Sequence, residues 1–341
     1  MEKQSRTIAT VLTFAALLLF LANICFGTVR IPFNDVITIL TGGSSGKPSW
    51  DFIVLQSRIP SAITAVLAGM SLSASGLMLQ TAFRNPLAGP DILGINGGAG
   101  LGVAIVMMMF GGRISAGSFS LGSSISVIAG AFVGAVIVMS IILLLSSRLK
   151  RPVMLLIAGI MVSYLASSVI SLLNFFASAE GVHSYTMWGM GNFGGVPLDQ
   201  IPFFTIATSA GLVMAILLIK PLNALLLGDF YAENLGISIR RVRTLLLLAT
   251  GILVAVTTAF CGPVSFIGLA VPHMARLMLK SGNHLSLMPV TILTGAVTAL
   301  LCSLISSLPG DRGLIPINAI TPVIGAPVII WILLRKQRDI R

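Results

Sequence analysis

The sequence is most strongly constrained by an apolar run that carries no charged side chain between Arg58 and Arg84. A run of this length is sufficient for a helix that crosses a membrane, which takes about 20 apolar residues. Small residues recur along the run at steps of three and four, and a glutamine follows the last of them. This spacing places all of them on one face of a helix. Because helices in lipid associate by close backbone approach, we predict that this face packs against other helices. The residues of the face are Ala62, Ala65, Gly69, Ser73, Gly76 and Gln80.

Composition indicates that the whole chain is built for a membrane. Of its 341 residues, 56% are hydrophobic and 9% are charged, and the mean hydropathy is +1.01. A soluble domain of this composition would have too little polar surface to cover its core. We therefore predict one all-α transmembrane domain over residues 1–341, with about ten spanning helices. The predicted spans are Ile8–Phe26, Ser61–Phe83, Leu93–Phe110, Ser124–Leu145, Pro152–Phe176, Ile201–Ile219, Thr244–Phe260, Val264–Met278, Leu287–Leu304 and Ile317–Leu334.

The distribution of basic residues sets the predicted topology. When the N-terminus is placed in the cytoplasm, sixteen of the 21 Lys and Arg residues lie on the cytoplasmic side. This excess is what the positive-inside rule requires, so we place both termini in the cytoplasm. The same topology accounts for the net charge of +11 without nucleic acid as a partner. The five external basic residues are Arg30, Lys47, Arg58, Arg113 and Arg312.

The reactive side chains argue against catalysis and against ion coupling. Ion-coupled carriers keep an ionisable residue inside the membrane, whereas all ten acidic residues here fall outside the spans or at their edges, Asp91 being the nearest. The segment Ser73–Gly76 lacks the first glycine of an intramembrane serine protease motif, and no His-Glu-x-x-His zinc motif is present. The three cysteines have no pairing or metal-ligand spacing and are interpreted as small core residues. An ion-coupled secondary transporter remains the alternative at this point.

The external segment Gly42–Lys47 is similar to a phosphate-binding loop but does not meet its requirements. Thr41 stands where the motif needs glycine, and Pro48 replaces the Ser or Thr that would hold magnesium. The predicted topology also places the segment on the side of the membrane that lacks ATP. We predict a flexible external turn.

An ordered series of residues between Arg58 and Ala99 carries a family resemblance. The series resembles the signature of the iron-chelate and cobalamin permease family, the membrane subunits of binding-protein-dependent ABC importers. Its members are Arg58-Ile59-Pro60, Gln80, Arg84-Asn85-Pro86-Leu87-Ala88, Pro90, Leu93-Gly94 and Gly98-Ala99. The resemblance extends almost to the C-terminus through Trp188–Gly191, Gly262-Pro263, Pro272-His273, Arg276 and Ile324–Pro327. For His273 we predict a structural hydrogen bond, because no second ligand stands at metal spacing.

The segment 222–243 is too polar to span the membrane and too apolar to float free. Gly228 and Gly236 bracket a helical turn or two, with Asp229 and Glu233 one turn apart. We predict a short helix at the cytoplasmic face that docks into the groove of a partner. The segment resembles the family's coupling loop, which contacts the ATPase subunit. The resemblance assigns this contact to Gly228, Asp229, Ala232, Glu233, Leu235 and Gly236.

The resemblance implies a type II ABC importer permease fold in a bacterial inner membrane. It implies a homodimer with the translocation path at its interface and two ATP-binding cassette subunits below, which bind ATP and magnesium. A periplasmic or lipid-anchored binding protein would dock above, and the chain itself would be neither an enzyme nor the holder of a cofactor. Gln80 is a candidate wall residue, with interhelical hydrogen bonding as the equal alternative. The residues expected to narrow the path are Asn85, Leu87, Pro152 and Val153.

External docking is where the sequence departs from the family. Arg58 stands where the family receives acidic residues of the binding protein, and Arg312 is placed to replace a missing charge. The departures are Ser61, Ser303, Ser307 and Leu314, which replace charged residues of the family pattern. The substrate stays open among ferric siderophore, haem and cobalamin.

Overall fold

The computed structural model describes residues 2–112, 115–116, 119–120, 122–149, 152–308 and 313–338. Apart from one short antiparallel ladder, the regular secondary structure of these residues is helical. The ladder joins β1, Ser115–Ala116, to β2, Phe119–Ser120. The prediction of an all-α fold is therefore confirmed for the described chain.

The α-helices follow one another through the whole sequence. In chain order they are α1 Glu2–Cys25, α2 Phe33–Leu40, α3 Pro48–Phe52, α4 Ile59–Ala82, α5 Ile95–Ala104, α6 Ser123–Arg148, α7 Pro152–Phe176, α8 Ala179–Gly189, α9 Ile201–Leu217, α10 Ile219–Leu227, α11 Asp229–Asn234, α12 Ile239–Cys261, α13 Ile267–Leu279, α14 His284–Ser307 and α15 Ile317–Arg338. Wider π-helical turns extend α4 backwards and α5 forwards, at Ile53–Arg58 and Ile105–Met109. Tighter 3-10 turns precede α5 and α9, at Pro90–Leu93 and Leu198–Gln200.

Within the described residues, seven helical segments are long and apolar enough to cross a membrane. They are Lys3–Cys25, Pro48–Ala82, Ser124–Arg148, Val153–Phe176, Leu198–Leu217, Ile239–Cys261 and His284–Ser307. Three shorter apolar helices accompany them: Ile95–Met109, Ile267–Leu279 and Ile317–Trp331. Each predicted span falls on one of these segments. The number that cross the membrane and the side of the termini stay predictions.

Helix α4 is the packing centre of the fold. A Cβ atom added to Gly69 would lie 2.2 Å from the carbonyl oxygen of Gly295 in α14. A Cβ atom at Gly76 would lie 1.7 Å from the carbonyl oxygen of Gly268 in α13. Helix backbones come this close only where side chains are absent, which confirms the predicted packing face.

The C-terminal end of α1 is held by a buried arginine that directly precedes α4. Arg58 is 7% exposed, and its Nη1 donates to the carbonyl oxygens of Ile24 and Cys25, both at 2.8 Å. Its Nη2 donates to the carbonyl oxygen of Val29. The last carbonyls of a helix have no partner within the helix, so Arg58 supplies the donors that complete α1.

The segment before α4 is held by side-chain hydrogen bonds. The carboxylate of Asp51 accepts hydrogen bonds from Ser44 Oγ at 2.6 Å and from Ser45 Oγ at 2.7 Å. It also accepts one from the backbone N–H of Ser45 at 3.1 Å. The Nζ atom of Lys47 lies 4.0 Å from the centre of the Trp50 ring. The sequence does not predict these contacts, and the flexibility and the external position of the turn stay predictions.

Two of the three cysteines are core residues, as predicted. Cys261 and Cys302 are 2% and 0% exposed, and both are free thiols. Cys25 is half-buried at the end of α1.

Candidate functional site

Two segments meet at one end of the helix bundle, and together they form the candidate site. We name them after the roles that the sequence predicts for them. The gate loop, residues 84–89, follows α4, and the coupling loop, residues 222–243, runs from α10 to the start of α12. Proline at positions 86 and 90 prevents α4 from continuing through the gate loop.

The coupling loop contains the short helix that the sequence predicts. Gly228 and Gly236 have φ of +118° and +79°, values that side-chain-bearing residues rarely adopt. Between them α11 occupies Asp229–Asn234, so the prediction of a helical turn or two bracketed by these glycines is confirmed. The glycines let the chain reverse sharply on both sides of a six-residue helix.

One face of α11 is buried and the other carries large apolar side chains into solvent. Ala232 is 0% exposed and packs with Ala224, Leu225 and Val242. Its role is therefore to seat α11 on its own chain, and it presents no surface to a partner. On α11 the exposed large apolar side chains are Phe230, at 80%, and Tyr231, and the exposed residues Leu226, Leu227 and Leu235 flank the helix.

The two exposed aromatic residues of α11, Phe230 and Tyr231, are absent from the residues proposed from the sequence. The sequence does contain a signal for them, which is their position between two glycines. A helix of only six residues can bury few side chains, so an aromatic pair within it is expected to be exposed. Glu233 is exposed on the same helix, whereas Leu235 lies just beyond it and is 58% exposed.

The carboxylate of Asp229 joins the coupling loop to the gate loop. Its Oδ1 lies 2.6 Å from Nη2 of Arg84, and its Oδ2 lies 3.9 Å from Nη2 of Arg243 in α12. Asp229 therefore contacts two arginines of its own chain while its side chain stays 44% exposed. The sequence could not show this contact, because 145 positions separate Arg84 from Asp229.

The gate loop is folded tightly on itself. Arg84 has a positive φ of 46°, which is uncommon for a residue with a side chain. The side-chain oxygen Oδ1 of Asn85 accepts from the backbone N–H of Leu87 at 2.9 Å. Leu87 is 44% exposed, and Asn85 is half-buried. The two predicted gate residues of this loop are thus held by one local hydrogen bond.

A hydrogen-bonded network anchors the gate loop and the end of α4 on α13. His273 Nε2 donates to the carbonyl oxygen of Pro86 at 2.7 Å, which confirms its predicted structural role. Gln80 Oε1 accepts from Arg276 Nη1 at 2.5 Å, and Gln80 Nε2 donates to the carbonyl oxygen of Leu269 at 3.1 Å. Gln80 is 3% exposed. The oxygen and the nitrogen of the Gln80 amide therefore both form hydrogen bonds to α13. This favours interhelical hydrogen bonding over a place on the wall of the translocation path.

A second network ties α4 to α10 and to the start of α14. Thr81 Oγ1 lies 2.8 Å from Nε2 of His284, the first residue of α14. Asn223 Oδ1 of α10 accepts from the backbone N–H of His284 at 2.8 Å, and Asn223 Nδ2 donates to Asn283 Oδ1 at 2.9 Å. Since His284 is 1% exposed, this network is part of the interior.

Helix α7 carries the other predicted gate residues and exposes most of its surface. Only 22% of its apolar window is buried, although its hydropathy is as high as that of the better-buried helices. Val153 is 59% exposed at the start of the helix, and the side chain of Pro152 lies outside the described residues. A helix exposed on more than one side has room for lipid and for a further surface.

Asp91 occupies a crevice between the gate loop and α5. Its Oδ1 accepts from Asn96 Nδ2, and Asn96 Oδ1 in turn accepts from Thr258 Oγ1 of α12 at 2.8 Å. The carboxyl is open to the surface of the single chain, but the surrounding protein atoms displace water from it. This desolvation raises the pKa of Asp91 to about 6, against the opposing effect of the Asn96 hydrogen bond.

At the opposite end of α4, a polar recess of about 150 Å³ lies beside Arg58. Arg58 is the charged residue of its lining in the described chain, and its guanidinium is already engaged by backbone carbonyls. Arg312, the other predicted docking residue, lies outside the described residues. The recess is lined by hydroxyl and amide side chains: Asn23, Thr28, Ser57, Ser61, Asn192, Ser303, Ser306 and Ser307.

Comparison with known proteins identifies the family of this chain. The sequence profile of the FecCD transport family matches residues 15–335. The chain belongs to the FecCD transport family. Membership confirms the resemblance predicted from the motifs and places the chain among transport permeases.

Individual relatives in the FecCD family cover nearly the whole chain. Vitamin B12 import system permease protein BtuC of Salmonella typhi is 31% identical over 339 residues, covering 99% of this chain and 98% of the relative. The protein of the same description from Klebsiella pneumoniae is 32% identical over 336 residues, covering 98% and 96%. An ABC transporter described as of the metal-chelate type, solved in an inward-facing conformation, superposes with a TM-score of 0.83 at 27% identity. That alignment covers 97% of this chain and 99% of the solved one.

Proposed function

We propose that this FecCD-family chain is the permease subunit of a binding-protein-dependent ABC importer that moves a metal chelate into the cytoplasm. The observation that carries the proposal is α11, which presents Phe230 and Tyr231 to solvent while Ala232 seats it on its own chain. An exposed aromatic face on a short, firmly seated helix suits docking into the groove of a partner protein. The full-length similarity to vitamin B12 import permeases and to a metal-chelate ABC transporter supports the same function.

The proposed topology has ten spans and both termini in the cytoplasm of a bacterial inner membrane. Seven long and three shorter apolar helices provide that number among the described residues. With this orientation, the gate loop and the coupling loop lie on the cytoplasmic side, where ATP is available. The excess of basic residues on that side supports the orientation.

The proposed assembly is a homodimer with the path between the two copies. Helix α7 supports it, because a wide apolar surface is left exposed on the single chain by side chains that include Met154, Met161, Leu165 and Leu172. We assign part of this surface to lipid and part to the path. Asn85, Leu87, Pro152 and Val153 are the proposed constriction at its cytoplasmic end.

The proposed permease performs no covalent chemistry. Two ATP-binding cassette subunits would bind ATP and magnesium and dock on the coupling loop through Gly228, Glu233, Leu235 and Gly236, to which the structure adds Phe230 and Tyr231. Their conformational cycle would change the permease between outward-facing and inward-facing states through contacts that differ between the states.

For the external binding protein we propose docking over the recess beside Arg58. A direct ion pair would require the Arg58 guanidinium to leave three backbone carbonyls, and hydrogen bonds to a charged group are worth about 1.5–3 kcal/mol each. We therefore propose that Arg58 shapes the recess and that the serines and asparagines of its lining receive the partner. Arg312 keeps its proposed role as the exposed docking charge.

The function is tested by reconstitution into liposomes with the ATPase subunit and binding protein that accompany the chain. Labelled cobalamin, a ferric siderophore and haem are each supplied with the binding protein, with and without ATP inside. Cobalamin is the first substrate to test, since the relatives named above import vitamin B12. ATP-dependent accumulation of one chelate supports the proposal. Uptake of a chelate driven by an ion gradient without ATP would overturn it in favour of a secondary transporter.

A further inference from the structure

The carboxylate of Asp229 in the coupling loop contacts Arg84 in the gate loop. Asp229 Oδ1 lies 2.6 Å from Arg84 Nη2 at the end of α4, and Asp229 Oδ2 lies 3.9 Å from Arg243 Nη2 near the start of α12. One side chain of the coupling loop therefore reaches the segment that follows the central helix and the helix that continues from the loop itself.

Asp229 is tied to the movement of the coupling loop as a whole. Ala232, three residues further along α11, is fully buried among Ala224, Leu225 and Val242. The backbone N–H of Ile237 also donates to the carbonyl oxygen of Ala232 at 3.0 Å, which closes the end of the helix. A partner that displaces the exposed face of α11 must therefore carry Asp229 with it.

The gate loop responds as a unit on the other side of the contact. Arg84 is followed by the Asn85–Leu87 hydrogen bond of 2.9 Å, and Ala88 N–H donates to the carbonyl oxygen of Asn85 at 3.0 Å. Arg84 itself has the left-handed φ of 46°, a conformation that costs of order 1 kcal/mol in a non-glycine residue. Displacement of the Arg84 side chain therefore acts on a residue with a strained backbone, and Leu87 lies only three residues further along the chain.

The ion pair is too exposed to be a main source of fold stability. The two side chains are 51% and 44% exposed, and exposed ion pairs contribute about 0.2–1 kcal/mol. A contact of this strength can break and re-form during a transport cycle. Its effect on the cycle depends on the difference between states and not on its absolute strength.

We propose that the Arg84–Asp229 pair is the positioning link through which a displacement of the coupling loop reaches the gate loop. The proposal rests on the proposed function, because an ATPase subunit must move the coupling loop. Both oxygens of the Asp229 carboxylate contact arginines of this chain, whereas the exposed side chains of Phe230 and Tyr231 supply the proposed docking face. Breaking the pair therefore leaves docking and ATP hydrolysis in place and separates them from substrate movement.

The test is a double-mutant cycle in the reconstituted complex with its ATPase and binding protein. Arg84→Gln, Asp229→Asn and the double variant are compared for ATPase co-purification, ATP hydrolysis and chelate accumulated per ATP hydrolysed. We expect each single variant to keep the ATPase and to lose about fivefold or more in chelate per ATP, the size of an ordinary coupling energy. Because both act on one contact, the double variant should be no worse than either single one. Arg84→Lys, which keeps the charge, should retain most of the coupling.

The matched control is Asp199→Asn, which removes an exposed carboxylate that lies outside both loops. Asp199 forms no ion pair with the described residues. The substitution should leave chelate per ATP unchanged. Losses that add up in the double variant, or an equal loss in Asp199→Asn, would overturn the proposed link.

The outcomes also separate this link from the proposed function. If Asp229→Asn releases the ATPase subunit, Asp229 is a docking residue and the link is overturned while the importer function stands. If Phe230→Asp, placed on the exposed face, changes neither ATPase co-purification nor uptake, the coupling loop is not the docking element, which overturns both. Normal chelate per ATP in both single variants overturns the link alone.

Discussion

Two arginines border the same central helix and are used in opposite ways. Arg58, before α4, is 7% exposed and donates to three backbone carbonyls, which cannot leave it without losing their partners. Arg84, after α4, has a side chain that is 51% exposed and shares one carboxylate of a distant loop. One end of α4 is therefore fixed by a permanent contact, and the other end carries a contact that can open. The comparison separates the part of the fold that must stay from the part that must move.

The largest expected effect is on the fixed end. Arg58→Gln removes a charged donor from the carbonyls of Ile24, Cys25 and Val29, and we expect a loss of about 3 kcal/mol in stability. The measurement is the apparent unfolding temperature of the detergent-purified chain, with Arg84→Gln as the matched control. Equal and small shifts in both variants would remove the distinction between the two ends.

The second effect concerns the surface through which the movable end is driven. Phe230→Asp places a charge on the exposed face of α11, and we expect at least about a tenfold weaker association with the ATPase subunit. Ala232→Arg is a different experiment, because Ala232 is fully buried and the arginine would dislodge α11 from its seat. Titration of the ATPase subunit against the purified permease measures the weaker association of Phe230→Asp. A proteolysis time course of the coupling loop detects the dislodged α11 in Ala232→Arg. Unchanged association in Phe230→Asp would show that this face is not used.

A smaller effect tests whether the fixed end offers any charge to the outside. The recess beside Arg58 is lined by neutral polar groups, so its own contribution to binding-protein association should depend little on salt. Arg312→Glu should slow association, and Ser61→Arg should increase its salt dependence, because rim charges act mainly on encounter rate. Association rates at low and high ionic strength measure both. A steep salt dependence that disappears in Arg58→Lys would show instead that Arg58 is presented directly.

The smallest effect is a pH dependence near the movable end. Desolvation raises the pKa of Asp91 from its ordinary value to about 6, so the folded chain holds this proton more tightly than the unfolded one. The contribution of Asp91 to stability should therefore be greatest below pH 4, fall as the pH rises to about 6, and stay level above it. Asp91→Asn should flatten this part of the profile, while Asp199→Asn, which alters an exposed carboxylate, should not. Identical profiles for the parent and Asp91→Asn would show that Asp91 is well hydrated.

The sequence predicts those parts of the structure that depend on local spacing. The small-residue face of α4 follows from steps of three and four, and α11 follows from the two glycines around it. Both are confirmed because each is set by residues close together in the chain. The family of the chain was likewise recognisable from motifs with fixed order.

Contacts between distant segments could not be predicted in the same way. The sequence assigns Asp229 to a partner surface, which stays a prediction, but it could not predict that the carboxylate also contacts Arg84. Arg58 is an arginine at the end of an apolar run, where exposure is the ordinary expectation, yet it is buried and donates to two carbonyls of α1 and to that of Val29. The sequence predicts a flexible turn around Ser44 and Ser45, because nothing in the local sequence shows that Asp51 accepts hydrogen bonds from their hydroxyl groups. In each case the partner is chosen by the packing of helices.

The bare backbone contacts of α4 have a practical consequence for how such a protein can be studied. Since Gly69 and Gly76 leave no space for even one methyl group, any side chain introduced there pushes α13 or α14 away. Loss of activity after a substitution on this face would report broken assembly and would say nothing about transport. The same intolerance makes α4 the natural reference frame for distance measurements. Spectroscopic labels on its few accessible positions would stay still, so any change in their separation from a label on α7 or α11 could be attributed to the second site.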